Sequence, residues 1–285
     1  MANAEFPVGS PRSRASRPSR SQNQDDRSIR QAGGEDLDTR RDRPPRLLPV
    51  SDAAAAYRLV YGRLDALIRG RAEVAELTVP ACPAWNVRQT VAHLAGLALD
   101  IVSLNMEEKA ADSWTQAQVD RLGGHSIDEL LDLWGQMIDP VTAMLALQAS
   151  ACQLVFDTLT HEHNIRGALS EPGSRTGDLG FKVALGFSTT VGDQFIRHAG
   201  LPSLRLITPT IGSVQLGDPH TARGQVALDV SDFEALRALG GRRSIRQLLA
   251  LPWHGDPTHL LPAFTHLLPA FTNDGIRPPN DDLLE

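Results

Sequence analysis

The chain has 285 residues, 41% hydrophobic and 5% aromatic, with a formal charge of −6. Its two cysteines exclude a disulfide framework, and no apolar run reaches the ~20 residues of a membrane helix. The acidity is uneven: residues 1–46 carry ten Arg against seven Asp and Glu, while residues 47–285 carry 18 basic against 27 acidic side chains.

An acidic body argues against nucleic-acid binding, which needs a basic face. Residues 1–46 read as a disordered Arg/Ser/Pro-rich tail, because SPRSRASRPSRSQNQDD has too little apolar surface to offset the entropy of ordering. No apolar stretch follows the first charges, so no secretory signal is expected, and the expected location is the cytoplasm. The skew of 26 Arg to 2 Lys points to a GC-rich genome.

Helical periodicity starts after the tail. Tyr57, Val60, Tyr61, Leu64, Leu67 and Ile68 recur at three- and four-residue steps, with Ser51 as the expected N-cap and Gly70 as the end. The loop TVPACPAW (78–85) follows. Asn86 and Gln89 then form a capping arrangement for a helix over 87–104, striped by Val87, Val91, Leu94, Ala98 and Ile101. Ser126 and Glu129 open a third helix, which Pro140 kinks or restarts. A fourth helix is expected over about 150–169, and a fifth over 179–199 that stops at Gly200.

Beyond Pro202 the period changes from helical to alternating. Leu204 and Leu206, Val214 and Leu216, and most cleanly Val226, Leu228 and Val230 read as half-buried strands. Ser231 with Glu234 and Ser244 with Gln247 open two short helices. The expected fold is therefore an antiparallel four-helix bundle over 47–175 followed by a small α+β domain over 176–285. His259–Thr265 and His266–Thr272 repeat HLLPAFT letter for letter, which reads as a local duplication because two copies make no solenoid.

The chemistry-bearing candidates are histidines. His198, His220, His254, His259 and His266 fall near loops or helix ends and read as surface residues. No GxGxxG, P-loop, HExxH or GxSxG occurs. Asp157 and His161, four apart on the fourth helix, project from one face about a turn apart, whereas Glu162 and His163 point elsewhere. That spacing suits either a shared metal ion or a plain hydrogen bond along a helix surface. His93, beside the apolar stripe of the second helix, needs a polar partner or a metal. Across a bundle core, His93 can meet Asp157 and His161 to give two imidazoles and one carboxylate with open coordination positions. Cys82 reads as a loop packing residue and Trp85 as a core anchor.

Three blocks carry a resemblance. The segment PACPAWNVR (80–88) with VAHL (91–94), the segment LTHEHNIRGAL (159–169), and GRRS (241–244) with LPWHGDP (251–257) resemble the mycothiol-dependent maleylpyruvate isomerase family. The likeness spans about residues 50–272. It implies a DinB-like metal-binding bundle with a sterol-carrier-like C-terminal domain. It also implies a divalent metal, zinc above all, held at the positions of His93, Asp157 and His161, and a low-molecular-weight thiol, mycothiol, as cofactor. In that family the thiolate adds to the cis double bond of maleylpyruvate, the adduct rotates, and the thiol leaves. The substrate carboxylates need cations, for which Arg242 and Arg243 are the candidates. The family pattern has Glu at position 157 and commonly Asp at position 164, where this chain has Asp157 and Asn164. Isomerisation or thiol transfer on a small electrophile is the expected activity, with a monomer or homodimer as the expected assembly. A non-catalytic metal- or ligand-binding regulatory module of the same fold is the alternative.

Overall fold

In a computed structural model, the described residues are 42–107, 111–145, 147–173, 175, 177–265 and 278–285. The tail expected over 1–46 falls outside them except for its last five residues, and so does the second HLLPAFT copy.

Helix α1 spans Val50–Ile68. Its apolar positions Tyr57, Val60, Leu64 and Ile68 are all buried, as their spacing requires. Pro49, not Ser51, occupies the N-cap. Its carbonyl accepts the amides of Asp52 and Ala53, and its ring supplies the backbone angle that a capping side chain would otherwise enforce. Gly70, at φ +74°, turns the chain out.

Helix α2, Val87–Ser103, starts at the Asn86–Gln89 capping box, both halves of which form. Helix α3, Asp112–Leu122, was not anticipated: it has no side-chain cap and buries only Gln118, Val119 and Leu122. Helix α4, Ile127–Met144, opens with the Ser126–Glu129 box and runs through Pro140 without a restart. Helix α5 is Gln148–Leu169, and α6 is Leu179–Ala199, closed by Gly200 at φ +60°.

Four of these helices form a ring in which α1 contacts α4, α4 contacts α2, α2 contacts α5, and α5 returns to α1. That arrangement is a four-helix bundle. Its centre holds Trp134, whose indole donates to the Tyr57 hydroxyl at 2.7 Å while Tyr61 meets it edge-on at 5.0 Å. Buried Glu162 of α5 is clamped by Arg63 of α1 and by Arg166 one turn on, so the charge is paired where water cannot reach it.

The α+β part follows. Strands β1 (Ser203–Thr208), β2 (Gly212–Leu216), β3 (Gln225–Asp229) and β4 (Trp253–His254) lie in the order β2-β1-β3-β4. The β1–β2 and β3–β4 pairs are antiparallel and β1–β3 is parallel. The register places Leu204 and Leu206 opposite Leu216 and Val214 on one side and Val226 and Leu228 on the other, so all six share one buried face. Helices α7 (Asp232–Leu239) and α8 (Ile245–Leu249) start at Ser231 and Ser244. Ser244 and Gln247 complete their box, whereas Glu234 gives its carboxylate to Arg243 instead. The first HLLPAFT copy ends in a short helix, α9 (Pro262–Thr265), with Phe264 against Trp253.

Helix α6 contacts α1 and α5 as well as β2 and α7, and residues 42–285 form one compact unit. Among the described residues, no helix is long and apolar enough to cross a membrane.

Candidate metal centre

His93, on the second turn of α2, and His161, on α5, face each other across the bundle with ring centroids 5.0 Å apart. Asp157 lies one turn before His161. Its two carboxylate oxygens stand 3.6 Å from His93 Nε2 and 3.7 Å from His161 Nε2. One ligand atom from each of the three residues falls within 4.8 Å of the other two. Around a tetrahedral ion with ligand bonds of about 2.0–2.1 Å, ligand atoms sit roughly 3.3 Å apart, so the two Asp157–imidazole distances are close to those of a bound set. Two imidazoles and a carboxylate suit zinc and leave a coordination position open.

The charges agree with this arrangement. Asp157 Oδ2 is buried with no hydrogen-bond partner, which is costly unless a proton or cation reaches it. Burial opposes ionisation of Asp157, yet the neighbouring imidazoles and the Arg242 guanidinium outweigh it and hold the carboxyl below its usual range. Burial pushes the His161 imidazole down to about 3, against the pull of Asp157. A neutral imidazole is the form that ligates metal.

What stands behind each imidazole differs. His93 Nδ1 lies 2.8 Å from Gln118 Oε1, and Gln118 Nε2 donates to Asp100 Oδ2 at 2.8 Å. Because Asp100 takes the amide N–H, Gln118 offers His93 only its oxygen. His93 therefore carries its proton on Nδ1, which leaves the Nε2 lone pair facing Asp157. The Gln118 side chain reaches His93 because Gly96 lets α3 come close: a Cβ there would stand 2.6 Å from Gln118 Cβ.

His161 Nδ1 lies 3.3 Å from Asn164 Nδ2, whose Oδ1 accepts from Arg237 Nη1 at 2.8 Å. Here the imidazole nitrogen accepts. Ligation through Nε2 would ask the Asn164 amide to turn or its contact to lapse.

Arg242 reaches the same place from the loop after α7. Its Nη2 is 3.8 Å from Cys82 Sγ, and its Nε is buried without a partner. Arg243 does not join it, being held by Glu234 and by Glu285 at 2.7 Å each. Cys82 touches Asn164 at 3.6 Å besides Arg242, so this loop thiol borders the centre as well as packing. Trp85 is partly exposed rather than a core anchor. It lies over both imidazoles, 5.3 Å from His93 and 6.2 Å from His161. His198, His220, His254 and His259 are exposed, as expected. His266 lies outside the described residues.

Sequence reasoning passed over Gln118. The available signal was a Gln within a short polar helix facing a glycine on α2, which is legible only once the two helices are known to touch.

Comparison with known proteins agrees in part. Residues 57–162 match the family model of the mycothiol maleylpyruvate isomerase N-terminal domain. No curated protein matches the chain. Among solved structures, the chain is similar to the mycothiol-dependent maleylpyruvate isomerase and to a histidine-to-alanine mutant of it. Each shows 14% identity, a TM-score of 0.46, and coverage of 68% of this chain and 90% of the other. The stretch that contains the Asn86 capping box and the His93, Asp157 and His161 cluster lies within the residues that match this family model.

Proposed function

We propose that this protein is a metal-dependent enzyme that uses a low-molecular-weight thiol, mycothiol, for cis–trans isomerisation or thiol transfer on a small electrophile. The observation that carries the reading is the convergence of His93, Asp157 and His161, with a buried Asp157 oxygen lacking any partner, inside the family-matched helices.

His93 and His161 would hold the ion through Nε2 and Asp157 through a carboxylate oxygen, with zinc the best match to these donors. A divalent ion there would lower the pKa of a thiol that reaches it, so that sulfur is nucleophilic at neutral pH. The chain's own groups prepare the rest. Arg242, with an unpartnered buried Nε beside the cluster, is placed to bind a substrate carboxylate through its guanidinium fork. Trp85 shields the imidazoles from one side.

The test begins with metal analysis of the untagged protein, then turnover of maleylpyruvate and an electrophile panel with and without mycothiol. Expected are one divalent ion per chain, thiol-dependent turnover lost on chelation, and loss of the ion in His161→Ala. Arg242→Ala should raise KM for carboxylate substrates while retaining the metal. Full metal in His161→Ala would overturn the metal assignment. Metal bound without turnover of any substrate would leave a binding module in place of the enzyme.

A further inference from the structure

A cavity lies on another face of α5. His163, two residues beyond His161, points away from the imidazole cluster, and its ring packs against Phe233 at 4.9 Å and Phe181 at 5.5 Å. With Arg166, Ser170, Arg175, Phe233 and Glu285 it lines a cavity of about 280 Å3.

Five guanidinium groups surround this region: Arg63, Arg166, Arg175, Arg237 and Arg243. Four carboxylates answer them. Glu162 takes Arg63 and Arg166, Asp178 takes Arg63, Glu285 takes Arg237 and Arg243, and Glu234 takes Arg243. Among the described residues Arg175 ion-pairs with none of them. It stands over the Phe233 ring instead, 4.1 Å from the centroid, with its Nε buried and unpartnered. His163 is 2% exposed, and its Nε2 is also buried without a partner. Two residues on different elements, each with an unanswered nitrogen, therefore line one cavity. Leaving such groups unpaired is costly, which marks the cavity as a site shaped for something the chain does not supply.

The neighbouring chemistry says what. Glu285 already shows that a carboxylate suits this cluster, where it is gripped by Arg237 and Arg243. The Phe233 ring, with Pro172 and Leu284 nearby, adds an apolar wall for a short carbon chain. We infer that this cavity is a binding site for a small organic carboxylate, held by the Arg175 guanidinium and the His163 Nε2 with its carbon skeleton against Phe233. The site is separate from the imidazole cluster and does not depend on the metal-centre reading.

The experiment uses the full chain, with succinate, acetate and inorganic phosphate as probes in calorimetric titration. The His163 ring nitrogens are followed in parallel by 15N NMR. Expected are saturable succinate binding, a shift of the His163 Nε2 resonance on titration, and affinity weakened about tenfold or more in Arg175→Gln, whose lost charge-assisted bond sets that scale. Arg175 lies in a loop and makes no ion pair among the described residues, so this variant should stay folded, its melting point lowered only by the lost contact with Phe233. Metal content should not change. The inference is overturned if neither succinate nor acetate saturates, if Arg175→Gln binds succinate as wild type does, or if binding leaves the His163 resonances unmoved. Phosphate binding tighter than both carboxylates would overturn the carboxylate assignment.

Discussion

Behind His93 the hydrogen bonds run outward. The imidazole donates to Gln118, Gln118 donates to Asp100, and Asp100 also accepts from Arg121 at 2.8 Å. Behind His161 they run inward: Arg237 donates to Asn164, and Asn164 donates to the imidazole. One relay ends on a carboxylate in the helical half, and the other begins at a guanidinium of the α+β half. An amide in the middle of a relay passes on the polarity of whatever anchors it, because its oxygen and nitrogen cannot both face the same way. The His93 relay thus prepares Nε2 as a ligand, while the His161 relay holds the proton on the wrong nitrogen for ligation. Two histidines that look equivalent in the sequence differ through the group that anchors the amide behind each.

The anchors themselves offer the largest test. Arg237 is fully buried and Glu285 5% exposed, so Glu285→Gln strands a buried charge and should cost about 3–5 kcal/mol in a urea titration. The matching cut on the other side, Arg121→Gln, removes a guanidinium that is 42% exposed from a buried Asp100 that keeps Gln118 and Asn105 as donors, and should cost less, about 1–2 kcal/mol. Equal losses would show that the two relays are anchored alike.

Acid tests the α5 side next. Burial, reinforced by surrounding arginines, lowers His161 to about 3 and His163 to about 2. An unfolded histidine titrates near 6.5, so below that pH the unfolded chain binds protons that these two folded residues refuse. Stability of the metal-free protein should therefore fall with pH from about 6.5 downward, by about 1.4 kcal/mol per unit for each histidine. His163→Phe should remove one of the two contributions and halve the slope measured by urea unfolding at successive pH values. An undiminished slope would mean that His163 does not set it.

The legible parts of this molecule are those that close within a helical turn or two. The Asn86–Gln89, Ser126–Glu129 and Ser244–Gln247 boxes are three-residue signals and form as read. Asp157 and His161 are four apart, and the helix period alone puts them on one face. His93 could be paired with them because a polar residue beside an apolar stripe must find a partner in the core. Gln118 could not be found this way. It lies on α3, which has neither a cap nor a clear apolar stripe, and its meeting with His93 depends on the close approach at Gly96. The difference between Arg242 and Arg243 was equally hidden. They are adjacent in sequence, and only the position of Glu234 and Glu285 decides which one is neutralised. Trp85 was misplaced for a related reason: an aromatic in a Pro-bounded loop reads as an anchor, yet the loop sets it over the imidazoles.

The last two expected effects act on the relays and have opposite signs. Gln118→Ala removes the acceptor that holds the His93 proton on Nδ1, and metal affinity should fall about ten- to hundredfold in a chelator competition. Asn164→Asp does the reverse for His161. A carboxylate at that position keeps a bond to Arg237 and can accept from His161 Nδ1–H, so the proton moves to Nδ1 and Nε2 becomes the free lone pair. Metal affinity should rise about tenfold, and the ring-nitrogen shifts of His161 should exchange their protonated and unprotonated signatures even before metal is added. If the shifts exchange without a gain in affinity, tautomer is not what limits ligation, and the shorter reach of Asp157 becomes the next residue to lengthen, as Asp157→Glu. If neither changes, the inward relay behind His161 does not control the imidazole, and the contrast between the two sides reduces to their anchors.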